Sequence, residues 1–170
     1  MNCAECERIS RRKNLVYEDS VVSALLNDKP CTAGHLILLP KQHTTIIEQL
    51  PDEIMEHMFI VANKLSVALF DALNCHGTNI LIQNGVSAGQ KTNHVMMHII
   101  PRIENDGLNF HWQTIKMADE DLTSSQMTLK DEIDNPKEAK KEIKELVQEP
   151  ELTYEDEEDN YLLNQLERTP

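Results

Sequence analysis

The stretch NHVMMHIIPR, residues 93–102, decides between two folds because its histidines, His94 and His98, are four residues apart. On a helix this spacing puts both rings one turn apart, close enough to share a metal ion. On a strand the rings face the same side but stand about 13 Å apart, since each residue advances about 3.3 Å. One ion cannot hold both histidines of a strand.

The composition of this stretch favours the strand. It is rich in Val and Ile, it follows a loop with two glycines, and it reaches Pro101, where we expect the strand to end. Side chains alternate along a strand, so the stretch has a polar and an apolar face. The first face carries His94, Met96 and His98. The apolar face, which we assign to the core, carries Val95, Met97 and Ile99.

Other short apolar runs, separated by turn-forming residues, bring the expected number of strands to about five. These runs are LVYED (15–19), VVSALL (21–26), HLILLP (35–40) and TNILIQN (78–84). Residues 50–74 predict one long helix with Pro51 in its first turn, and residues 4–13 a short one. The apolar stripe expected on the long helix is Ile54, Met58, Val61, Leu65, Ala68 and Ala72. Strands adjacent in sequence with one long helix across them predict an α+β domain with an antiparallel sheet.

The charge of the chain is concentrated in its C-terminal part. The 170 residues have a formal net charge of −13, and residues 118–170 contribute 17 acidic against 6 basic side chains. We predict a domain over residues 1–117 and an acidic, partly helical or disordered extension over residues 118–170, with a polar helix at 137–148 and solvated chain at 155–159. Because this charge repels nucleic-acid phosphates, we expect no nucleic-acid partner.

Two further absences in the sequence bear on location. There is no run of about 18 apolar residues, so we expect no membrane span. There is also no charged and then apolar leader, so we expect a cytoplasmic protein with reduced cysteines.

The first motif with chemical content is CAEC, with Cys3 and Cys6 near the start. Two thiolates at this spacing suit zinc, which needs two more ligands, and histidines can supply them. A pair of unliganded thiols and a redox pair are the alternatives, although no βα unit flanks the motif as in thioredoxin-like proteins.

Two other motifs add histidines and amides in a fixed order. AGHLILLPKQH, residues 33–43, places His35 at the start of a strand and His43 after its end. IQNGVSAGQKTNHVMMHIIPR, residues 82–102, joins a glycine-containing loop to the opening stretch. Over residues 1 to about 103, the three motifs together resemble the histidine triad (HIT) superfamily of nucleotide-binding proteins.

The resemblance places the three histidines of the triad at positions 94, 96 and 98, and position 96 is methionine. In the family the middle histidine attacks the α-phosphorus of a nucleotide and forms a covalent nucleotidyl intermediate. A thioether has no ring nitrogen, and attack through its sulfur would leave a sulfonium with no proton to shed. We therefore expect nucleotidyl hydrolase or transferase activity to be lost or strongly reduced.

The resemblance also implies a nucleotide site. It implies that His98 contacts a phosphate oxygen, that Gln90 contacts the phosphates from the loop, and that His35 lies near the reacting group. Asn27 falls where many members have an aspartate that binds the ribose hydroxyls. Further polar candidates at the end of the fourth strand are Gln83 and Asn84. Ordinary loop capping is the alternative role for each of these amides.

Finally, the resemblance implies a structural zinc ion and a homodimer that forms through the long helix and an adjoining strand. Four ligands fill the coordination sphere and leave no open position, which is typical of a structural site. These ligands are Cys3, Cys6, His43 and His94.

We therefore predict a protein that binds a purine nucleoside phosphate such as AMP beside a structural zinc ion. One alternative is an active phosphohydrolase or transferase in which His98 or His35 replaces the missing nucleophile. The other is a zinc-stabilised scaffold whose acidic tail recruits a basic partner. We assign no functional role to the remaining histidines, and we expect Cys31 and Cys75 to be reduced thiols.

Overall fold

A computed structural model of the chain describes residues 3–135. The chain divides into two compact units, Met1–Thr114 and Ile115–Pro170. The features predicted at 137–148 and 155–159 lie outside the described residues. No helix within residues 3–135 is both long and apolar enough to cross a bilayer.

The first unit is built on a five-stranded antiparallel sheet, which confirms the predicted α+β fold. The strands are β1 (Leu15–Glu18), β2 (Val22–Leu26), β3 (Leu36–Pro40), β4 (Gly77–Ile82) and β5 (Met97–Arg102). They lie in the order β1-β2-β3-β5-β4, and every neighbouring pair is antiparallel. The helices of this unit are α1 (Ala4–Arg11) and α2 (Asp52–Leu73), with short 3₁₀ turns at Ile47–Gln49 and Val86–Ala88.

Strand β5 differs from its prediction at both ends. It begins at Met97 rather than His94, because the N–H of Val95 donates to the carbonyl of Thr44 (2.8 Å) and not to a neighbouring strand. It also continues through Pro101 to Arg102. Beyond Ile99 the strand pairs with β4 alone, and a proline is tolerated where one edge of a strand has no partner strand.

Helix α2 covers one face of the sheet and forms the main core with it. Its buried side chains include Met58, Val61, Leu65 and Leu69, and from the sheet side they meet residues such as Met97. Pro51 precedes the helix as its N-cap residue rather than lying in its first turn. Ala68 and Ala72, which we predicted on the buried stripe, are exposed, because the stripe is centred further round the helix, on Leu65, Ser66 and Leu69.

The opposite face of the sheet carries a second, smaller apolar cluster. Leu25, Ile37 and Leu39 are buried there, and Ile9 of α1, Leu15 and Met96 pack against them. Helix α1 therefore covers part of the face on which the predicted functional residues lie.

The second unit contains helix α3 (Asp119–Asp134), a 16-residue helix whose bounds the sequence did not reveal. Its first turn carries Asp119, Glu120 and Asp121, whose charges favour the positive end of the helix dipole. None of its residues is buried.

Candidate functional site

Two histidines from neighbouring strands meet on the sheet face opposite α2. His98 lies on β5 and pairs across the sheet with Ile37, while His35 immediately precedes β3. Nε2 of His35 lies 3.1 Å from Nδ1 of His98, and the two ring centroids are 5.2 Å apart. The antiparallel pairing of β3 and β5 thus brings together two residues that are 63 positions apart in the chain.

The hydrogen bonds of His35 determine how both rings carry their protons. The backbone N–H of Cys31 donates to Nδ1 of His35 (3.3 Å), so this nitrogen is an acceptor. A neutral ring with an acceptor at Nδ1 carries its hydrogen on Nε2, and this N–H can donate to Nδ1 of His98. His98 in turn carries its own hydrogen on Nε2, which makes that atom a hydrogen-bond donor without a free lone pair.

Both rings are held in the neutral form. Burial, together with the nearby charge of a protonated His98, lowers the pKa of His35 from 6.5 to about 4. Burial also lowers the pKa of His98. An anion placed beside either ring would offset this effect, because a negative charge favours the protonated imidazole.

Asn27, for which the resemblance implied contact with a ribose, lies beside His35. Its Nδ2 is 3.5 Å from one ring nitrogen and 3.4 Å from the other, so the amide lies across the ring rather than along a lone pair. Its Oδ1 accepts a hydrogen bond from the N–H of Lys29 (3.0 Å), and its own N–H donates to the carbonyl of His35 (2.9 Å). Asn27 therefore also organises the turn before β3.

Cys31, to which we gave no partner, contacts the same histidine. Its Sγ is 3.3 Å from Nδ1 of His35, and the residue is exposed. The signal in the sequence, a cysteine four residues before a histidine in a loop, is too common to have indicated this contact.

Gln90 is hydrogen-bonded within its own loop and to the segment that follows β3. Its Oε1 accepts from the N–H of Gly85 (2.7 Å), and its Nε2 donates to the carbonyls of Thr45 (2.7 Å) and Thr92 (2.8 Å). The loop residues Gly85 and Gly89 have φ values of +87° and +91°, which favour glycine. In this arrangement Gln90 closes the loop, and its amide contacts a phosphate only if it exchanges one of these bonds.

The two other amides have different surroundings. Asn84 accepts from the N–H of Ile47 (3.0 Å) and donates to Glu48 (2.7 Å), so it fixes the loop as a capping residue. Gln83 lies against Gly89, where an added Cβ would stand only 2.6 Å from Nε2 of Gln83. The glycine thus leaves room for the Gln83 side chain.

Met96 lies on the same sheet face as His98 and is partly buried. It packs against the small apolar cluster of Leu25, Ile37 and Leu39. Met96 therefore joins the apolar surface beside the histidine pair.

The four predicted metal ligands lie together at the N-terminal end of α1. The ligand atoms of Cys3, Cys6, His43 and His94 all lie within 4.8 Å of one another. Nδ1 of His94 is 3.6 Å from Sγ of Cys3 and 3.5 Å from Sγ of Cys6, and Nδ1 of His43 is 3.4 Å from Sγ of Cys6. Tetrahedral zinc with bonds of about 2.3 Å to sulfur and about 2.0 Å to nitrogen separates such atoms by roughly 3.6 Å. The arrangement is compatible with zinc.

The second nitrogen of His94 supports this arrangement. Nε2 of His94 donates to the carbonyl of Pro40 (3.0 Å), which leaves the lone pair of Nδ1 directed at the thiols. His94 is fully buried, and histidine ligands of metals commonly donate their other N–H in this way.

Of the remaining histidines, His57 has a structural contact. Its Nε2 is 2.7 Å from Oδ2 of Asp19, which also accepts from the hydroxyl of Tyr17 (2.8 Å). Burial and the hydrogen bond to Asp19 raise the pKa of Tyr17 to about 12. These contacts connect α2 to the end of β1.

Comparison with known proteins gives consistent matches over the first unit. The profile of the HIT domain matches residues 9–105. A HIT-like protein of Methanocaldococcus jannaschii is 37% identical over 121 residues, which are 70% of this chain and 93% of that protein. An adenylylsulfatase of Arabidopsis thaliana is 34% identical over 93 residues, which are 55% of this chain and 47% of that protein.

Solved structures show the same fold. A HIT family protein from Bacillus anthracis has a TM-score of 0.70 at 33% identity and covers 76% of this chain and 96% of its own. A zinc-bound histidine triad family protein from Mycobacterium smegmatis has a TM-score of 0.61 at 28% identity, and a histidine triad nucleotide-binding protein from Candida albicans 0.70 at 26%. Each of these two covers 78% of this chain and 98% of its own.

Proposed function

Because this chain belongs to the HIT family, we propose that it binds a purine nucleoside phosphate such as AMP at the His35–His98 pair and transfers the nucleotidyl group slowly or not at all. The observation that carries the proposal is the pair itself. Nε2 of His35 lies 3.1 Å from Nδ1 of His98, so that Nε2 of His98 is a donor. The resemblance to the family aligns Met96 with the nucleophilic histidine.

The proposal that the protein binds a nucleotide rests on neutral N–H groups that can donate hydrogen bonds to an anion. The Nε2–H of His98 donates to a phosphate oxygen, and the negative charge of the phosphate favours protonation of the pair. Asn27 lies beside His35 and takes the position of a sugar ligand, while Gln83 and Gln90 belong to the loop that borders the phosphates. In Arabidopsis thaliana a relative is named an adenylylsulfatase, and in Candida albicans a structural relative is named a nucleotide-binding protein.

The proposed loss of nucleotidyl transfer follows from the lack of a free nitrogen lone pair that could attack phosphorus. Attack on phosphorus needs a free lone pair, and the thioether of Met96 does not form a lasting bond there. The hydrogen-bond pattern also leaves neither nitrogen of His35 free, and it places a hydrogen on Nε2 of His98. The alternative of an active enzyme that uses His98 or His35 therefore requires the pair to exchange its tautomers first.

We further propose that Cys3, Cys6, His43 and His94 hold zinc. With two thiolates, two imidazoles and no open position, the ion has a structural role, since it joins the first turn of α1 to the segments that follow β3 and precede β5. The zinc-bound relative from Mycobacterium smegmatis supports the choice of metal. The four cysteines are free, which fits a reducing compartment such as the cytoplasm.

A homodimer is also part of the proposal. Helix α2 exposes Phe59, Ile60, Val67 and Phe70 on the side away from the core. Strand β4 is an edge of the sheet and exposes Ile80, so a second copy can pair with this edge and cover the helix. Light scattering after size-exclusion chromatography should give twice the chain mass for the natural protein and the chain mass for Phe70→Glu.

Calorimetric titration with AMP tests the function directly. Saturable binding supports the domain over residues 1–117 as a nucleotide binder. Absence of heat and of any chemical-shift change would favour the scaffold alternative, in which the acidic extension over residues 118–170 recruits a basic partner. Release of AMP from a nucleoside phosphoramidate, abolished by His98→Ala or His35→Ala, would favour the enzyme.

A further inference from the structure

A cavity beside the metal ligands shares no lining residue with the His35–His98 pair. Its volume is about 370 Å³, and it is a cleft open to solvent rather than an enclosed pocket. It lies among α1, β1 and the end of β3, and it is lined by Cys6, Ile9, Ser10, Arg12, Glu18 and Lys41.

The charges of this cavity favour an anion. Arg12 and Lys41 both pair with Glu18, and Nζ of Lys41 is 3.1 Å from Oε1 of Glu18. Two cations therefore face one carboxylate. The side chain of Arg12 is 66% exposed, and such an exposed ion pair is weak. A carboxylate of a ligand can take the place of Glu18 on Arg12 at little cost.

The cavity also borders one of the proposed metal ligands. Cys6 lines the cavity, and its Sγ is one of the four ligand atoms, 3.4 Å from Nδ1 of His43. Sγ of Cys3 lies within 4.8 Å of it. A molecule bound in the cavity thus lies beside Cys6, whose sulfur would be a thiolate with zinc bound, and C-x-x-C pairs readily form disulfides.

We propose that this cavity binds a small anionic disulfide of the glutathione disulfide class, which oxidises Cys6 and Cys3 and so releases the metal. The inference rests on the zinc ion of the proposed function. Arg12 and Lys41 hold the carboxylates of the disulfide, and Ile9 contacts its methylene groups.

The reaction is a thiol–disulfide exchange in two steps. The Cys6 thiolate attacks one sulfur of the bound disulfide, the S–S bond breaks, and one thiolate leaves. The Cys3 thiolate then attacks the Cys6 sulfur of the mixed disulfide and expels the second thiolate. Two protein thiolates are oxidised to one Cys3–Cys6 disulfide, and the bound disulfide is reduced to two thiolates, which take up protons from water. The oxidation would remove two of the four side chains that would hold zinc, so the ion would be released.

The consequence for the molecule follows from the position of α1. Ile9 on this helix packs in the same apolar cluster as Met96, which is two residues from His98. Release of the metal frees the first turn of α1 and so loosens one wall of the nucleotide site. The ratio of thiol to disulfide in the surroundings would in this way affect the proposed binding of the nucleotide.

The test compares an anionic with a neutral disulfide. Zinc-loaded full-length protein is mixed with oxidised glutathione or with 2-hydroxyethyl disulfide, and a chromophoric chelator reports the released zinc. Each rate is divided by the rate of the same disulfide with a free CAEC peptide. We expect the natural protein to prefer the anionic disulfide about fivefold or more, and the preference to fall with added salt.

Substitutions test whether the preference for the anionic disulfide comes from Arg12 and Lys41. In the double variant Arg12→Gln, Lys41→Gln the preference should fall to about one, while the rate with the neutral disulfide changes less than about twofold. Arg11→Gln is the matched control, because this arginine is also exposed on α1 but pairs with Glu7 and does not line the cavity. It should keep the preference of the natural protein.

Equal normalised rates for both disulfides, or a preference that survives the double variant, would overturn the inference. Elemental analysis before mixing separates this failure from a failure of the proposed metal site. If the protein carries no zinc, the same rate ratios are read from the mass of the Cys3–Cys6 disulfide and of the mixed disulfide at Cys6.

Discussion

Nε2 of His35 lies 3.1 Å from Nδ1 of His98, and this contact leaves Nε2 as the ring nitrogen of His98 that is available to a ligand. The N–H of Cys31 occupies the other nitrogen of His35, so the direction of donation is fixed along the pair. The pair therefore presents an N–H rather than a lone pair. We therefore expect the same hydrogen-bond pattern to favour the binding of an anion and to make the pair a poor nucleophile.

The tautomer of His98 is itself measurable. Long-range ¹H–¹⁵N correlation spectra at pH 7.5 should show His98 with its hydrogen on Nε2 and an unprotonated Nδ1. In His35→Phe, which has no nitrogen to donate, we expect His98 to become a mixture of both tautomers. A natural protein with the hydrogen of His98 on Nδ1 would contradict the proposed donor role.

Stability should depend on pH through His35. Its pKa is about 4 in the folded chain and near 6.5 when unfolded, so the unfolded chain binds more protons as the pH falls. The stabilisation is complete above pH 6.5 and is lost as the pH falls from there to about 4. In urea unfolding, the free energy of unfolding should fall across this window in both proteins, and the fall should be about 1–3 kcal/mol smaller in His35→Gln than in the natural protein. His111→Gln, at an exposed residue, is the control and should follow the natural protein. Parallel curves for all three proteins would refute the assignment.

Restoring a histidine at position 96 should restore turnover if the rest of the site is intact. Loss of a nucleophile costs several powers of ten in rate, so Met96→His should hydrolyse a nucleoside phosphoramidate at least about 100-fold faster than the natural protein. Met96→Leu keeps the apolar contacts with Leu25 and Leu39 and should show no gain. No rise in Met96→His would mean that the site has lost more than its nucleophile.

The proposed metal site predicts one zinc ion per chain by elemental analysis. Cys3→Ser should lose the metal and lower the melting temperature, because binding of the ion contributes directly to folding. Cys31→Ser removes an exposed thiol that is not among the four ligands, so its zinc content should be unchanged. Protein purified without chelator that holds no metal would count against the site.

The periodicity of apolar residues in the sequence predicted the fold. It did not predict the features that depend on which strands pair with each other. Alternation placed Met96 and His98 on one face and Met97 in the core, as the structure confirms. It did not predict where β5 begins and ends, because a strand's bounds depend on which neighbours its amides reach. Helix α3 was missed since none of its side chains is buried, and an exposed helix need not have a continuous apolar stripe.

At the site, the motifs indicated which residues lie together, but they did not indicate the hydrogen bonds that these residues make. The family resemblance carried by CAEC and the two strand motifs implied four metal ligands, and the structure brings their ligand atoms within 4.8 Å of one another. The hydrogen bond of the Gln90 amide to Thr45 and the contact of Cys31 with His35 depend on the paths of two loops. Such paths follow from hydrogen bonds between residues far apart in the chain, which a local pattern does not contain.

The most direct measurement is calorimetric titration of the zinc-loaded natural protein with AMP at pH 7.5, followed by intact-mass analysis after incubation with a nucleoside phosphoramidate. We predict saturable binding of one AMP per chain, at least about tenfold weaker in His98→Ala because a hydrogen bond to a charged group is lost, with no nucleotidyl adduct on the protein. No binding of AMP, or an adduct of nucleotidyl mass on the natural protein, would contradict the account.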